Sequence, residues 1–193
     1  MKSNKNLIYL AMFSILLSGG AMAASADNDS SYATLNFSGR VTSNLCQVST
    51  SDVTKDINLG ETTKQQITDS SQKKQSFTVR LNNCDTTVSQ ISYVLSDGNN
   101  NADQAGYLLP KSGDTSAKGV GVFVETSGGD AVTTGETKTI DVLKDADGSA
   151  LPQQTIALQA YIDKTGDVSG VSGGTVDATG TLTIKAVTAT AVP

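Results

Sequence analysis

The sequence predicts an all-β sandwich, and three observations carry that prediction. Short apolar–polar alternations recur between turn signals, with no sustained helical period. Thr and Val fill most of the apolar and semi-polar positions, which suits pleated strands better than helices. Two cysteines, Cys46 and Cys84, stand in strand-like sequence behind an N-terminal leader.

The leader is expected over residues 1–23. Lys2 and Lys5 form a positive start, Leu7 to Leu17 is an apolar run broken in its core only by Ser14, and Ala21-Met22-Ala23 is a small-x-small cleavage site. The run is too short for a membrane span. Cleavage after Ala23 removes 23 of 193 residues and leaves 170, Ala24–Pro193, expected to be exported and to cross no bilayer.

Ala24–Ser31 holds no large apolar residue and is expected to be disordered in the free chain. Strands are then predicted over Ala33–Val48, Val53–Leu59, Gln75–Leu81, Gln90–Leu95, Val120–Glu125, Thr139–Leu143, Thr155–Ile162 and Thr175–Val187, with a weak helical turn near Thr63–Ile67. Gly, Asn, Asp and Ser clusters at 96–101, 111–114, 127–130, 145–148 and 169–174 separate them; Gly supplies positive φ, and Asn and Asp close side-chain turns. Strands at this spacing with one inter-strand disulfide suggest an immunoglobulin-like sandwich, although the tryptophan that packs on the disulfide in antibody domains is missing.

A chain of 170 residues is expected to form one domain with a real core. Without the leader lysines, 12 basic residues face 19 acidic ones, a net −7. That balance argues against nucleic acid, which needs a basic stripe, and against anionic membrane surfaces. An even pair of cysteines in an oxidising compartment is most simply the Cys46–Cys84 disulfide. Free thiols are the weaker reading, and a metal site weaker still, since the chain has no histidine. The 37 residues between the two make a long closed loop, worth on the order of 4 kcal/mol in the chain-entropy account.

Ala33, Leu35 and Phe37 share one face of a period-2 alternation. Taken alone, this describes either the first strand of the chain's own sandwich or an arm that joins another molecule's sheet.

Several segments together resemble one family, the pilus subunits assembled by the bacterial chaperone–usher pathway, of the type 1 pilus kind. They are Leu35–Val41, Leu45-Cys46-Gln47-Val48, Ile57-Asn58-Leu59-Gly60, Phe77–Asp85 before and across the second cysteine, Ile156–Ile162 and Gly174–Ile184. The resemblance spans about Ala33 to Ala186. It implies an incomplete immunoglobulin-like β-sandwich lacking its last strand, with residues 24–38 as an N-terminal donor-strand extension and 39–193 as the pilin domain. A periplasmic chaperone would lend the missing strand, an outer-membrane usher would exchange it, and the arm of the neighbouring subunit would take its place in a homopolymer. Ala33, Leu35 and Phe37 become the expected donor side chains. Val41 and Leu45 on one side, and Leu182, Ile184 and Ala186 on the other, become the expected acceptor groove and chaperone contact. No cofactor or metal is expected, and the protein is expected in a cell-surface fimbrium that supports adhesion.

The match departs from the family at the C-terminus. Such subunits usually end at an aromatic; here Ala186 stands at that position and the chain runs on through Val187–Pro193, either as a longer last strand or as a tail closed by Pro193.

An enzyme is the first rival class and is not expected. Without histidine, acid–base chemistry would fall to carboxylates, lysine or tyrosine. Asp145-Ala146-Asp147-Gly148 starts like a calcium loop, but its twelfth position is Ile156 rather than glutamate, so it and Asp97-Gly98-Asn99 read as turns. The second rival is a minor surface-binding, adhesin-like sandwich recognising a host glycan or protein. Tyr32, Tyr93, Tyr107, Phe123 and Tyr161 are scattered and mostly strand-placed, which points to core instead.

Overall fold

The computed structural model describes residues 34–37, 45–99 and 105–188. The chain divides into two units, 1–41 and 42–193. In the first, Thr34–Phe37 are exposed and form no regular secondary structure. The leader, residues 24–33 and Val41 lie outside the described residues.

Among the described residues the second unit carries seven strands: β1 (Gln47–Val48), β2 (Gln75–Asn82), β3 (Val88–Asp97), β4 (Val120–Thr126), β5 (Thr137–Ile140), β6 (Gln154–Lys164) and β7 (Gly180–Thr188). A short helix, α1 (Lys64–Thr68), follows β1. The strands form a four-stranded sheet in the order β1-β2-β6-β4 and a three-stranded sheet in the order β5-β3-β7, all pairs antiparallel. Alternation places Val79 and Leu81 of β2, Ile156, Leu158 and Ala160 of β6, Val122 and Val124 of β4, and Ile91, Tyr93 and Leu95 of β3 in the buried interior. Cys46 and Cys84 are disulfide-bonded, and their end of the core is filled by Leu81, Val88, Ile91 and Ala150.

Three strand expectations are corrected. Of Ala33–Val48, only Gln47–Val48 is a strand among the described residues. Val53–Leu59 is no strand: the turn closed by Asp52 N–H on the Ser49 carbonyl (2.8 Å) lifts the chain off β2. The Asn58 side chain then binds the Gly60 N–H (2.8 Å), and Gly60 takes the left-handed φ of 70° that favours glycine. Thr175–Thr179 also falls outside β7, because the chain crosses Ser116–Ala117 here so closely that a Cβ at Gly174 would overlap their backbone.

The strand expected over Thr139–Leu143 is shifted to β5, Thr137–Ile140. Beyond it, the buried Gln154 side chain stands in for a ladder: its amide accepts from Leu143 N–H (2.8 Å) and donates to the Leu143 and Leu151 carbonyls (2.8 and 2.9 Å). The weak helical turn exists. Thr63 caps α1 and Gln66 returns the bond to the Thr63 N–H, a reciprocal capping box, while Ile67 anchors the helix in the core.

Candidate functional site

The site is an open side of the sandwich along β7. This strand pairs with β3 in the register Leu182–Leu95, Ile184–Tyr93 and Ala186–Ile91. Antiparallel partners point to the same face, so all six side chains aim at the core. Leu95, Tyr93 and Ile91 are 7%, 1% and 0% exposed. Leu182, Ile184 and Ala186 are only half-buried. The difference arises because β7 is an edge strand, hydrogen-bonded to β3 alone among the described residues. The strand runs past Ala186 to Thr188, so the family departure at the C-terminus lengthens the last strand by Val187 and Thr188; residues 189–193 lie outside the described residues.

The other residues expected at the groove divide. Leu45 is half-buried and packs, with Cys46, Val48, Ile184 and Ala186, against the cluster around the disulfide. Val48, Leu59, Phe77, Leu182 and Ile184 are among the partly buried residues that pack against the main core cluster. Val48, Leu59 and Phe77 were not singled out in the sequence. Phe77 was legible in principle, since it shares a face with Val79 and Leu81 in β2; burial along that face rises from half-buried Phe77 to Val79 at 9% and Leu81 at 1% exposed. A depression of about 490 Å³ lined by Asn58, Leu59, Gly60, Glu61, Lys73 and Gln75 adjoins the start of β2. Leu35 and Phe37, the expected donor side chains, are 72% and 90% exposed.

Three ion pairs, two of them sharing Asp52, brace the four-stranded sheet. The Asp52 carboxylate, 2% exposed, accepts from the Arg80 N–H (2.9 Å), Arg80 Nε (3.0 Å) and Lys55 Nζ (2.9 Å). The Arg80 side chain first, then Lys55, holds its carboxyl well below the usual carboxylate range. Lys74 binds both oxygens of buried Glu125 (2.6 and 2.8 Å), which raises the lysine pKa, and lies 4.9 Å from the centre of the Tyr161 ring.

The expectation that the aromatics are core residues holds for Tyr93 and is corrected for three others; Tyr32 lies outside the described residues. Phe123 and Tyr161 are cross-strand partners on the outer face of the four-stranded sheet, opposite the inward Val122, Val124, Ala160 and Ile162. Tyr107, Phe123 and Tyr161 form a half-buried row with ring centres 5.6 and 5.7 Å apart. Gly121 makes room for this row, because a Cβ there would run into the Tyr107 ring.

The carboxylate clusters are turns. Asp145 accepts from Asp147 N–H (3.0 Å) and Ser149 N–H (2.8 Å), and Asp97 from Asn99 N–H (2.9 Å) and Leu109 N–H (3.1 Å). One further pattern, Gly170-Val171-Ser172-Gly173-Gly174, has the Gly-x-Ser-x-Gly spacing of a nucleophile elbow, so the reading that the chain holds no such spacing is corrected. It lies in a loop after a single 3₁₀ turn rather than between strand and helix, and its Ser172 hydroxyl accepts from Lys118 N–H (3.2 Å).

Comparison with known proteins agrees with this geometry. The family model for fimbrial protein matches residues 35–186. Fimbrial protein 987P of Escherichia coli is 43% identical over 191 residues, covering 96% of this chain and 97% of that one. The type-1 fimbrial protein, C chain, of Escherichia coli is 31% identical over 128 residues, 65% of this chain and 71% of that one. Among solved structures, a chain from a chaperone–usher pilus superposes with a TM-score of 0.60 at 18% identity, covering 81% of this chain and 96% of its own. The P pilus rod subunit PapA gives a TM-score of 0.56 at 17% identity, over 74% of this chain and 99% of its own; both likenesses concern the fold. The chain belongs to the fimbrial protein family, as its motifs implied, and is a structural component of a surface fimbrium rather than an enzyme.

Proposed function

We propose that this subunit polymerises by donor-strand exchange, with residues 24–38 as the arm and 39–193 as the acceptor domain, after removal of the leader 1–23. The observation that carries the reading is the half-exposed inward face of β7 beside an unpaired edge. An added strand at that edge would cover Leu182, Ile184 and Ala186 and complete the three-stranded sheet. Ala33, Leu35 and Phe37 of a neighbouring copy supply the alternating side chains, and Val41 and Leu45 help to line the receiving side. A periplasmic chaperone covers the same edge before assembly and an outer-membrane usher exchanges it, in keeping with the chaperone–usher pilus to which the fold is similar. The resulting head-to-tail contact does not close on itself and so builds a filament that supports cell adhesion.

Replacing Phe37 by Asp tests this directly. The variant is expected to be exported with its disulfide formed yet to give no polymer, since the carboxylate would have to enter an apolar groove unpaired. Normal filaments would refute the arm assignment.

A second reading, a surface-binding module for a host glycan or protein, is favoured by the outer row Tyr107–Phe123–Tyr161, since half-exposed rings suit sugar stacking. Tyr107→Ala distinguishes it: loss of host-cell binding with assembly intact would support this role, whereas unchanged binding would remove it.

A further inference from the structure

Besides the end strands β4 and β5, two runs of strand lack a full neighbour among the described residues. One is the outer edge of β7. The other is β2 from Gln75 to Arg80, because β1 pairs only with Leu81 and Asn82. Either run could in principle accept a strand.

We propose that Asp52 and Lys55 guard the β2 edge and so confine an incoming donor strand to β7. The inference rests on the donor-strand reading above and deepens it by naming what selects the edge. Arg80 turns both backbone groups outward from β2: its carbonyl accepts from Ser49 N–H (2.9 Å) and its N–H donates to Asp52 Oδ2 (2.9 Å). In a continued ladder that N–H would meet the Ser49 carbonyl, but the Ser49 carbonyl is turned to Asp52 N–H instead. The carboxylate therefore replaces a strand.

Backbone groups repeat their direction every second residue, so Thr78 faces the same edge. Its carbonyl accepts from Lys55 Nζ at 2.6 Å, while the same ammonium holds Asp52 Oδ1 at 2.9 Å. The Arg80 guanidinium folds over the turn, with Nε on Asp52 and Nη2 on Ser51 Oγ (2.8 Å). A strand docking on β2 would have to pull Lys55 and the Arg80 N–H away from a carboxylate that is 2% exposed. Removing the partners of a buried carboxylate is far costlier than breaking an exposed pair.

Nothing comparable covers β7 among the described residues, where the side-chain bonds onto its backbone come from Ser89 and Ser92 of β3, the neighbour it already has. The two edges thus differ in kind: one is closed by side chains that belong to the turn after β1, and the other is open.

The test uses the mature chain with an excess of a peptide spanning Ala24–Gly39, carrying a benzophenone amino acid at position 37. After irradiation, adducts are mapped by mass spectrometry. In the parent chain they are expected on β7 and near Leu59, not on Ser76–Arg80. Lys55→Ala leaves the Asp52–Arg80 pair to hold the turn and is expected to raise adducts on Ser76–Arg80 by about tenfold, the scale of one charge-assisted hydrogen bond. The double variant Asp52→Asn, Lys55→Ala should raise them further. Adducts confined to β7 in both variants would overturn the guard while leaving donor-strand addition in place. Adducts on β2 in the parent chain would also overturn it. No adduct on either edge in any chain would overturn the donor-strand reading, and the guard with it.

Discussion

Ile184 and Tyr93 are direct cross-strand partners on β7 and β3, yet Tyr93 is 1% exposed while Ile184 remains half-open. The same step separates Ala186 from Ile91 and Leu182 from Leu95. A poorly packed core would leave scattered exposure on both strands. A deficit confined to the edge member of each pair indicates a missing neighbour on one side, and that asymmetry underlies the proposed assembly.

The asymmetry predicts different costs for matched truncations. Ile156→Ala, at a site 1% exposed, is expected to cost ~2–5 kcal/mol in the isolated subunit. Ile184→Ala should cost roughly half as much there, because half-buried methylenes leave less behind. In assembled filaments the two penalties should converge, since a docked strand would bury Ile184. Urea midpoints of subunit and filament measure this, and an unchanged gap between the two variants would contradict burial on assembly.

Cys46→Ser should remove on the order of 4 kcal/mol through the loop of sequence separation 38 that the disulfide closes. For a domain with an incomplete core that is a large part of the total, so periplasmic yield should fall sharply. Undiminished yield would show that the bond contributes little to folding in the cell.

Asp52 sets an acid limit. Its pKa is lowered in the folded state by Arg80 and Lys55, so its contribution is present in full above the unfolded value of about 3.9 and is lost as pH falls toward the lower folded value. The stability gap between the parent chain and Asp52→Asn should therefore be constant near neutrality and shrink below about pH 4. Urea titrations at a series of pH values check it; a gap independent of pH in the acid range would mean the carboxylate is not held by those cations.

Much of the fold was legible because strands buried on one face write their period into the sequence. Phe77, Val79 and Leu81, or Ile156, Leu158 and Ala160, each mark an inward face. What failed was decided by single side-chain bonds that leave no period. Val53–Leu59 has a strand's alternation but is detached by the Ser49–Asp52 turn, and Thr139–Leu143 is displaced because Gln154 supplies its partners. The inward alternation of Leu182, Ile184 and Ala186 was readable from the sequence, whereas the contacts of Asp52 and Lys55 reach across more than twenty residues of chain. The aromatic row was misread as core because alternation alone does not say which face of Phe123 and Tyr161 is inside.

The most direct measurement is urea unfolding of a disulfide-intact chain beginning at Gly39, with and without a peptide spanning Ala24–Gly39. The account predicts a weakly stable, aggregation-prone domain that gains several kcal/mol when saturated with peptide, as a ligand far above its Kd requires. A domain that is stable alone and indifferent to the peptide would be a complete sandwich and would contradict assembly by strand addition.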